Sequence, residues 1–261
     1  MSVRNADEAR AALDGGAAII DAKEPARGAL GAVEWPVLRA IHEVVGDACP
    51  SSAALGDAED PATIADAAHR AAALGFTYVK LGVRGERDAE HARELLRAAV
   101  DGAQAAHRGT QVIAVAYADA ESVDTVPPRA IIEVAARAGA HGVLLDTAVK
   151  AGGGLLELMT ASAITEWVDA AHRASLLAAL AGKLQRDDLP IIAAVGADVV
   201  GVRGAACDGG REGRVSVARV RALADVVRHA HVSTPASMPA SQESGCPTDT
   251  GRAIPSASSF R

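Results

Sequence analysis

Aromatic side chains are nearly absent: the 261 residues include two Trp, two Tyr and two Phe. With a formal net charge of -7, the chain has neither the basic footprint nor the stacking platforms of a nucleic-acid binder, and that class is excluded. Long apolar runs are missing as well. No stretch approaches the roughly 20 residues needed to cross a bilayer, and the segment Met1 to Glu8 has no apolar signal-peptide core. A cytoplasmic protein without a membrane partner is expected. Cys49, Cys207 and Cys246 are scattered, odd in number and without a C-x-x-C pair, so neither a disulfide framework nor a zinc site is expected. Histidines fall mostly on predicted helices (His42, His69, His91, His107, His172) and form no H-E-x-x-H pattern, so no metal is expected.

Lysine is the most informative shortage. Of 26 basic side chains, 22 are arginine and four are lysine: Lys23, Lys80, Lys150 and Lys183. An Arg-rich, Ala-rich coding bias replaces lysine wherever a bare positive charge suffices. It cannot replace an amine that must lose its proton and attack a carbonyl, because guanidinium stays charged at any working pH.

What the sequence does contain is alternation. Short apolar runs at 17–21, 52–56, 77–83, 111–117, 142–146, 175–180 and 198–203 predict strands, each followed by an Ala-rich segment with helical spacing. The helices are predicted near 34–47, 61–74, 87–107, 128–138, 163–173, 184–193 and 216–230. Pro36, Pro61 and Pro128 sit near first turns, where a missing N–H costs little. Gly75, Gly139 and Gly196 act as C-terminal stops. Continuously apolar strands alternating with helices imply a parallel sheet covered on both faces.

A stub at 2–4 leading into a helix at 6–14 brings the strand–helix units to eight, which fits a (β/α)8 TIM barrel over residues 1–231. The first strand is short: either translation begins a few residues earlier or the barrel closes with a truncated strand. A doubly wound open sheet is the second choice, but no G-x-G-x-x-G follows the first strand, and the Gly152 to Gly154 run lies in mid-chain. That run reads either as a flexible loop closing over a ligand or as a plain turn. Residues 232–261 are rich in Ser, Pro and Thr and predict a disordered tail.

In such a barrel, side chains at the C-terminal ends of strands build the active site. All four lysines are predicted there. Asp21 and Lys23 share one strand face, as do Tyr78 and Lys80. A lysine inside an apolar strand is desolvated, and a second ammonium nearby lowers its pKa further, the two usual routes to a nucleophilic amine. Lys23 and Lys80 can thus divide Schiff-base and proton chemistry, with Lys150, Asp21 and Asp146 in support. Taken singly, each of these is more ordinarily an ion pair capping a strand. The loops after the seventh and eighth strands, the customary phosphate site, carry Gly182 and Lys183, then Arg203 and Gly204. They predict a phosphorylated substrate; turn glycines beside solvated cations are the plainer alternative.

Four segments carry a family likeness: Asp21-Ala-Lys-Glu-Pro-Ala-Arg-Gly-Ala-Leu-Gly-Ala32, Tyr78-Val-Lys-Leu-Gly82, Leu145-Asp-Thr-Ala-Val-Lys150 and Gly201-Val-Arg-Gly-Ala-Ala-Cys207. In order, over roughly residues 1–230, the chain resembles the (5-formylfuran-3-yl)methyl phosphate synthases of methanofuran biosynthesis. The resemblance implies a barrel related to Schiff-base aldolases, working without metal or cofactor. It implies condensation of two molecules of glyceraldehyde 3-phosphate to 4-(hydroxymethyl)-2-furancarboxaldehyde phosphate, releasing one phosphate and two waters, a carbon–oxygen lyase reaction. By the same resemblance Lys23 matches the Schiff-base lysine and Lys80 the proton-transferring lysine, while Asp21, Asp146 and Lys150 match the supporting polar residues. Lys183 departs from the pattern, standing where a small hydroxyl residue is expected. Two rival readings remain: a class I aldolase acting on another phosphorylated sugar, and a non-catalytic phosphosugar-binding barrel whose tail recruits a partner. The expected partner is the triose phosphate itself, with homo-oligomerisation left open.

Overall fold

The computed structural model describes residues 1–57 and 60–232; the tail predicted at 232–261 lies, but for its first residue, outside them, as does Cys246. Eight strands follow one another in chain order around a single parallel sheet: β1 Ser2–Val3, β2 Ile20–Ala22, β3 Ser51–Asp57, β4 Tyr78–Gly82, β5 Gln111–Tyr117, β6 Gly142–Asp146, β7 Leu177–Leu180 and β8 Val199–Val200. The backbone N–H of Ser2 donates to the carbonyl of Val202, just beyond β8, at 3.1 Å, so the two edges of the sheet meet. This is the TIM barrel with the short first strand expected from the sequence.

Outside the sheet lie α1 Ala6–Asp14, α2 Trp35–Val45, α3 Pro61–Ala73, α4 Ala89–Ala106, α5 Pro128–Ala138, α6 Leu155–Leu158, α7 Ala161–Arg173, α8 Leu189–Ala194 and α9 Val217–Val232. Their starts follow local chemistry. Asn5, Asp60, Asp88 and Thr160 each accept a hydrogen bond from a first-turn N–H of the helix they precede. Pro61 and Pro128 occupy first-turn positions. Gly139 stops α5 in the left-handed conformation at φ 78°.

Several elements are shorter than their apolar patterns suggest, β2, β8 and α8 among them. The second strand starts only at Ile20, because the left-handed Gly16 and the bond from the Ala17 N–H to the Ala12 carbonyl hold the preceding residues to α1. The eighth run yields only Val199 and Val200, since Gly204 to Ala206 turn into a short 3-10 segment. The helix predicted at 184–193 begins as α8 at Leu189, after a 3-10 turn at Arg186–Asp188. A small antiparallel hairpin, β9 Cys207–Asp208 with β10 Arg214–Val215, was not legible as a periodic pattern.

Two apolar layers hold the barrel. The larger lies between sheet and helices; the smaller fills the interior with Ala54, Ile113, Val115, Leu144 and Ala179 and is topped by the fully buried Tyr117. Gly102 of α4 is needed at a close helix crossing: a Cβ there would stand 2.2 Å from the Ala65 carbonyl oxygen of α3.

Candidate active site

The C-terminal ends of the strands open into a cavity of about 700 Å³, within the size range of small-molecule sites, roughly 300–1,000 Å³. Lys23, Lys80, Lys150 and Lys183 all line it, with Asp21 and Asp146. The strand alternation explains the convergence. Asp21 and Lys23 point inward from β2 and its end, Lys80 from the middle of β4, and Asp146 from the last position of β6.

Charges in this mouth are sorted into pairs. Lys80 Nζ lies 2.7 Å from Asp21 Oδ2, which also accepts from the Ser2 hydroxyl at 2.8 Å. Lys150 Nζ lies 2.8 Å from Asp146 Oδ1 and also reaches the carbonyl and hydroxyl of Thr147. Lys23 is different. It is only 8% exposed, yet among the described residues its Nζ has no hydrogen-bond acceptor and no carboxylate within 4 Å.

The electrostatic consequences differ accordingly. Burial, reinforced by the ammonium groups of Lys80 and Lys150 and opposed by Asp146 and Asp21, brings the Lys23 pKa down from 10.5 to about 8. Burial would raise the Asp21 carboxyl, but Lys80 and Lys23 outweigh it and hold its pKa at about 2. Asp146 is also held below the ordinary value, burial being outweighed by Lys150 and then Lys23. Two anionic carboxylates therefore frame one lysine that reaches its neutral form near pH 8. Two buried polar atoms on residues that line the same cavity, Asp21 Oδ1 and Ser52 Oγ, have no partner among the described residues.

The loop bearing Lys150 is fixed by a residue the sequence did not single out. Asp119, after β5, accepts the N–H groups of Ala148 and Val149 at 2.7 Å each. The Gly152 to Gly154 run is a tied segment: Lys183 Nζ donates to the Gly152 carbonyl, and the Leu155 N–H donates to the Gly182 carbonyl at 2.9 Å. Lys183 itself is exposed and left-handed at φ 57°, beside Gly182 at φ 111°.

Arg203 does not present free donors to a ligand, as its expected phosphate role requires. Its guanidinium is buried and spent on Glu8 at 2.8 and 3.3 Å, on the Ser2 carbonyl at 3.0 Å, and on the carbonyls of Arg211 and Gly213 at 2.7 and 3.4 Å. Glu8 lies on α1, 195 residues away in sequence, so no local pattern announces the pairing. Gly182 and Gly204 do line the cavity. So does Arg211, in the loop between β9 and β10, whose Nη2 donates to the Gly28 carbonyl at 2.7 Å. Its only sequence signal is an arginine set among Gly209, Gly210 and Gly213, hidden by the abundance of arginine elsewhere. Among the described residues no cluster of His, Cys, Asp and Glu is placed to hold a metal ion, and no helix is long and apolar enough to cross a membrane.

A family model described as 4-HFC-P synthase matches residues 1–224. The chain is 42% identical over 230 residues to the (5-formylfuran-3-yl)methyl phosphate synthase of Methanopyrus kandleri, spanning 87% of this chain and 97% of that protein. Identity to the synthase of the same name from Methanocaldococcus jannaschii is 38% over 231 residues, spanning 87% and 98%. Among solved structures, a 3-hexulose-6-phosphate synthase superposes with TM-score 0.56 at 21% identity, over 88% of this chain and 96% of that one. Phosphoribosyl anthranilate isomerase from Thermus thermophilus gives 0.57 at 16% identity, over 87% and 96%. At those identities the structural likeness speaks to the barrel fold alone. The match across the barrel and the relatives' shared name make this chain an enzyme of the 4-HFC-P synthase family.

Proposed function

We propose that this enzyme condenses two molecules of glyceraldehyde 3-phosphate to 4-(hydroxymethyl)-2-furancarboxaldehyde phosphate through a Schiff base on Lys23. The observation that carries the reading is the unpaired Lys23 amine, buried between the Lys80–Asp21 and Lys150–Asp146 ion pairs. A lysine buried without a carboxylate partner gives up its proton more readily, and only the neutral amine attacks a carbonyl.

Neutral Lys23 adds to the carbonyl of one triose phosphate, and loss of water gives an iminium. The positive nitrogen is the electron sink, so a neighbouring carbon loses a proton and becomes an enamine nucleophile. Lys80, with Asp21 2.7 Å behind it, moves that proton. The enamine then adds to the second triose phosphate. Phosphate elimination, ring closure and dehydration complete the aromatic ring, with Lys150 and Asp146 serving the later proton transfers. The balance closes: two triose phosphates become one furan phosphate, one phosphate and two waters, and hydrolysis of the imine returns Lys23.

Borohydride reduction in the presence of glyceraldehyde 3-phosphate, followed by peptide mapping, tests the reading. The expected result is reductive labelling of the Lys23 peptide together with a product absorbing in the near ultraviolet, as a conjugated furan aldehyde does. An unlabelled Lys23 under conditions of normal turnover overturns it, and a non-absorbing sugar phosphate product would indicate an ordinary aldolase.

A further inference from the structure

Resting on the reading above that the substrate is a phosphorylated triose, we infer that Arg211 grips a substrate phosphate and that Arg203 is the positioning residue that holds it there. The assignment follows from which cations of the cavity are already taken. Lys80 is paired with Asp21, Lys150 with Asp146, Arg203 with Glu8 and Arg228 with Asp225. Lys183 is exposed and donates to the Gly152 carbonyl. Arg211 also lines the cavity, and among the described residues it has no carboxylate within 4 Å. Asp146, Glu212 and Glu24 act on it from beyond that distance.

Of its five guanidinium N–H donors, one is spent on Gly28 and the rest have no partner among the described residues. A phosphate takes two parallel bonds from such a fork. The contact to Gly28 also sets the fork's position relative to the nucleophile, because Gly28 belongs to the loop that begins at Lys23. Gly209 and Gly210 turn the hairpin at φ 87° and 76°, and Gly204 packs against the Arg211 backbone, where a Cβ would stand 3.6 Å from its nitrogen.

Arg203 supplies the rigidity. Its Nε donates to the Arg211 carbonyl at 2.7 Å and its Nη2 to the Gly213 carbonyl at 3.4 Å, while Glu8 neutralises it from α1. The buried Arg203–Glu8 pair thereby anchors both sides of the Arg211 turn to the start of the barrel.

Two measurements test this on the full chain. Steady-state kinetics with glyceraldehyde 3-phosphate should show Arg211→Gln raising KM at least tenfold while kcat changes less than threefold, with Arg211→Lys recovering part of the loss. Calorimetry with inorganic phosphate should show wild type binding at least tenfold more tightly than Arg211→Gln. Arg203→Lys should raise KM on its own yet add little to KM in the Arg211→Gln background, because it acts through that residue. A wild type that turns over the triose phosphate while Arg211→Gln keeps its KM and its phosphate affinity overturns the assignment and leaves the Schiff-base reading standing. A wild type that binds phosphate through Arg211 but leaves glyceraldehyde 3-phosphate untouched overturns the substrate reading and keeps the anion site. Full additivity of Arg203→Lys with Arg211→Gln removes Arg203 from the positioning role.

Discussion

Lys80 Nζ stands 2.7 Å from Oδ2 of Asp21, two residues before Lys23 on the same face of the chain. This one contact separates the roles of two neighbouring lysines. Lys80 lies against its own carboxylate, and its charge in turn helps lower the pKa of the unpaired Lys23.

Arginine can replace the charge of Lys80 and keep the bond to Asp21, but it cannot exchange a proton. Lys80→Arg is therefore expected to fold normally and to lose about 10²- to 10⁴-fold in kcat, the range contributed by a positioned proton donor or acceptor. Circular dichroism with steady-state kinetics checks both halves; near-normal turnover would make Lys80 a structural cation only.

The pH dependence has a definite sign. Only neutral Lys23 is nucleophilic, so kcat/KM should rise with pH through an apparent pKa of about 8, the value to which burial lowers this amine. A flat profile between pH 6.5 and 9 would contradict the assignment.

Stability should move against activity at the same residue. The folded-state pKa of about 8 lies below the ordinary 10.5, so the unfolded chain binds more protons between those values and wild-type stability rises with pH across that window. Below pH 8 the buried amine costs about 3 kcal/mol. Lys23→Met removes that cost. It is expected to melt higher than wild type at pH 7, with the difference shrinking toward pH 10, and to be inactive. Thermal melts at both pH values decide it.

Asp119 holds the Lys150 loop through two backbone N–H groups. Asp119→Ala leaves both unpaired, with a loss of about 1–3 kcal/mol for each donor left buried. Lys150 then shifts relative to Asp146, and kcat should fall. Asp119→Asn, which can accept only one of the two bonds in the same geometry, should lie between. Equal kcat for all three proteins would show that the loop is held by other contacts.

Helix propensity and packing oppose each other at Gly102. Glycine to alanine in a helix interior gains about 1 kcal/mol in propensity. Here the new Cβ would meet the Ala65 carbonyl oxygen at 2.2 Å, and overpacking of this kind costs about 1–3 kcal/mol. Gly102→Ala should lower Tm; a higher Tm would mean that α3 and α4 separate easily.

Much of the molecule was legible because its signals are local. Strands β5 and β6 and helix α5 have the bounds their apolar patterns predict. The period-two alternation placed Asp21 with Lys23 on one face, and that geometry is present. Arg203 shows where local reading stops. Its sequence context, a glycine-flanked cation after a strand, is what a phosphate loop looks like, yet its donors are consumed by Glu8 and by three backbone carbonyls. Arg211 and Asp119 carry no local signal because their meaning lies in partners 183 and about 30 residues away.

By itself, then, the sequence determined the barrel and the scarcity of lysine, since periodicity and composition need no partner to be read. Which lysine is left without a carboxylate was decided only by tertiary structure. All four sit at the catalytic end, but a lysine's proton affinity depends on burial and on which carboxylate lies within hydrogen-bond reach, and the closed sheet gave one to Lys80, one to Lys150 and none to Lys23.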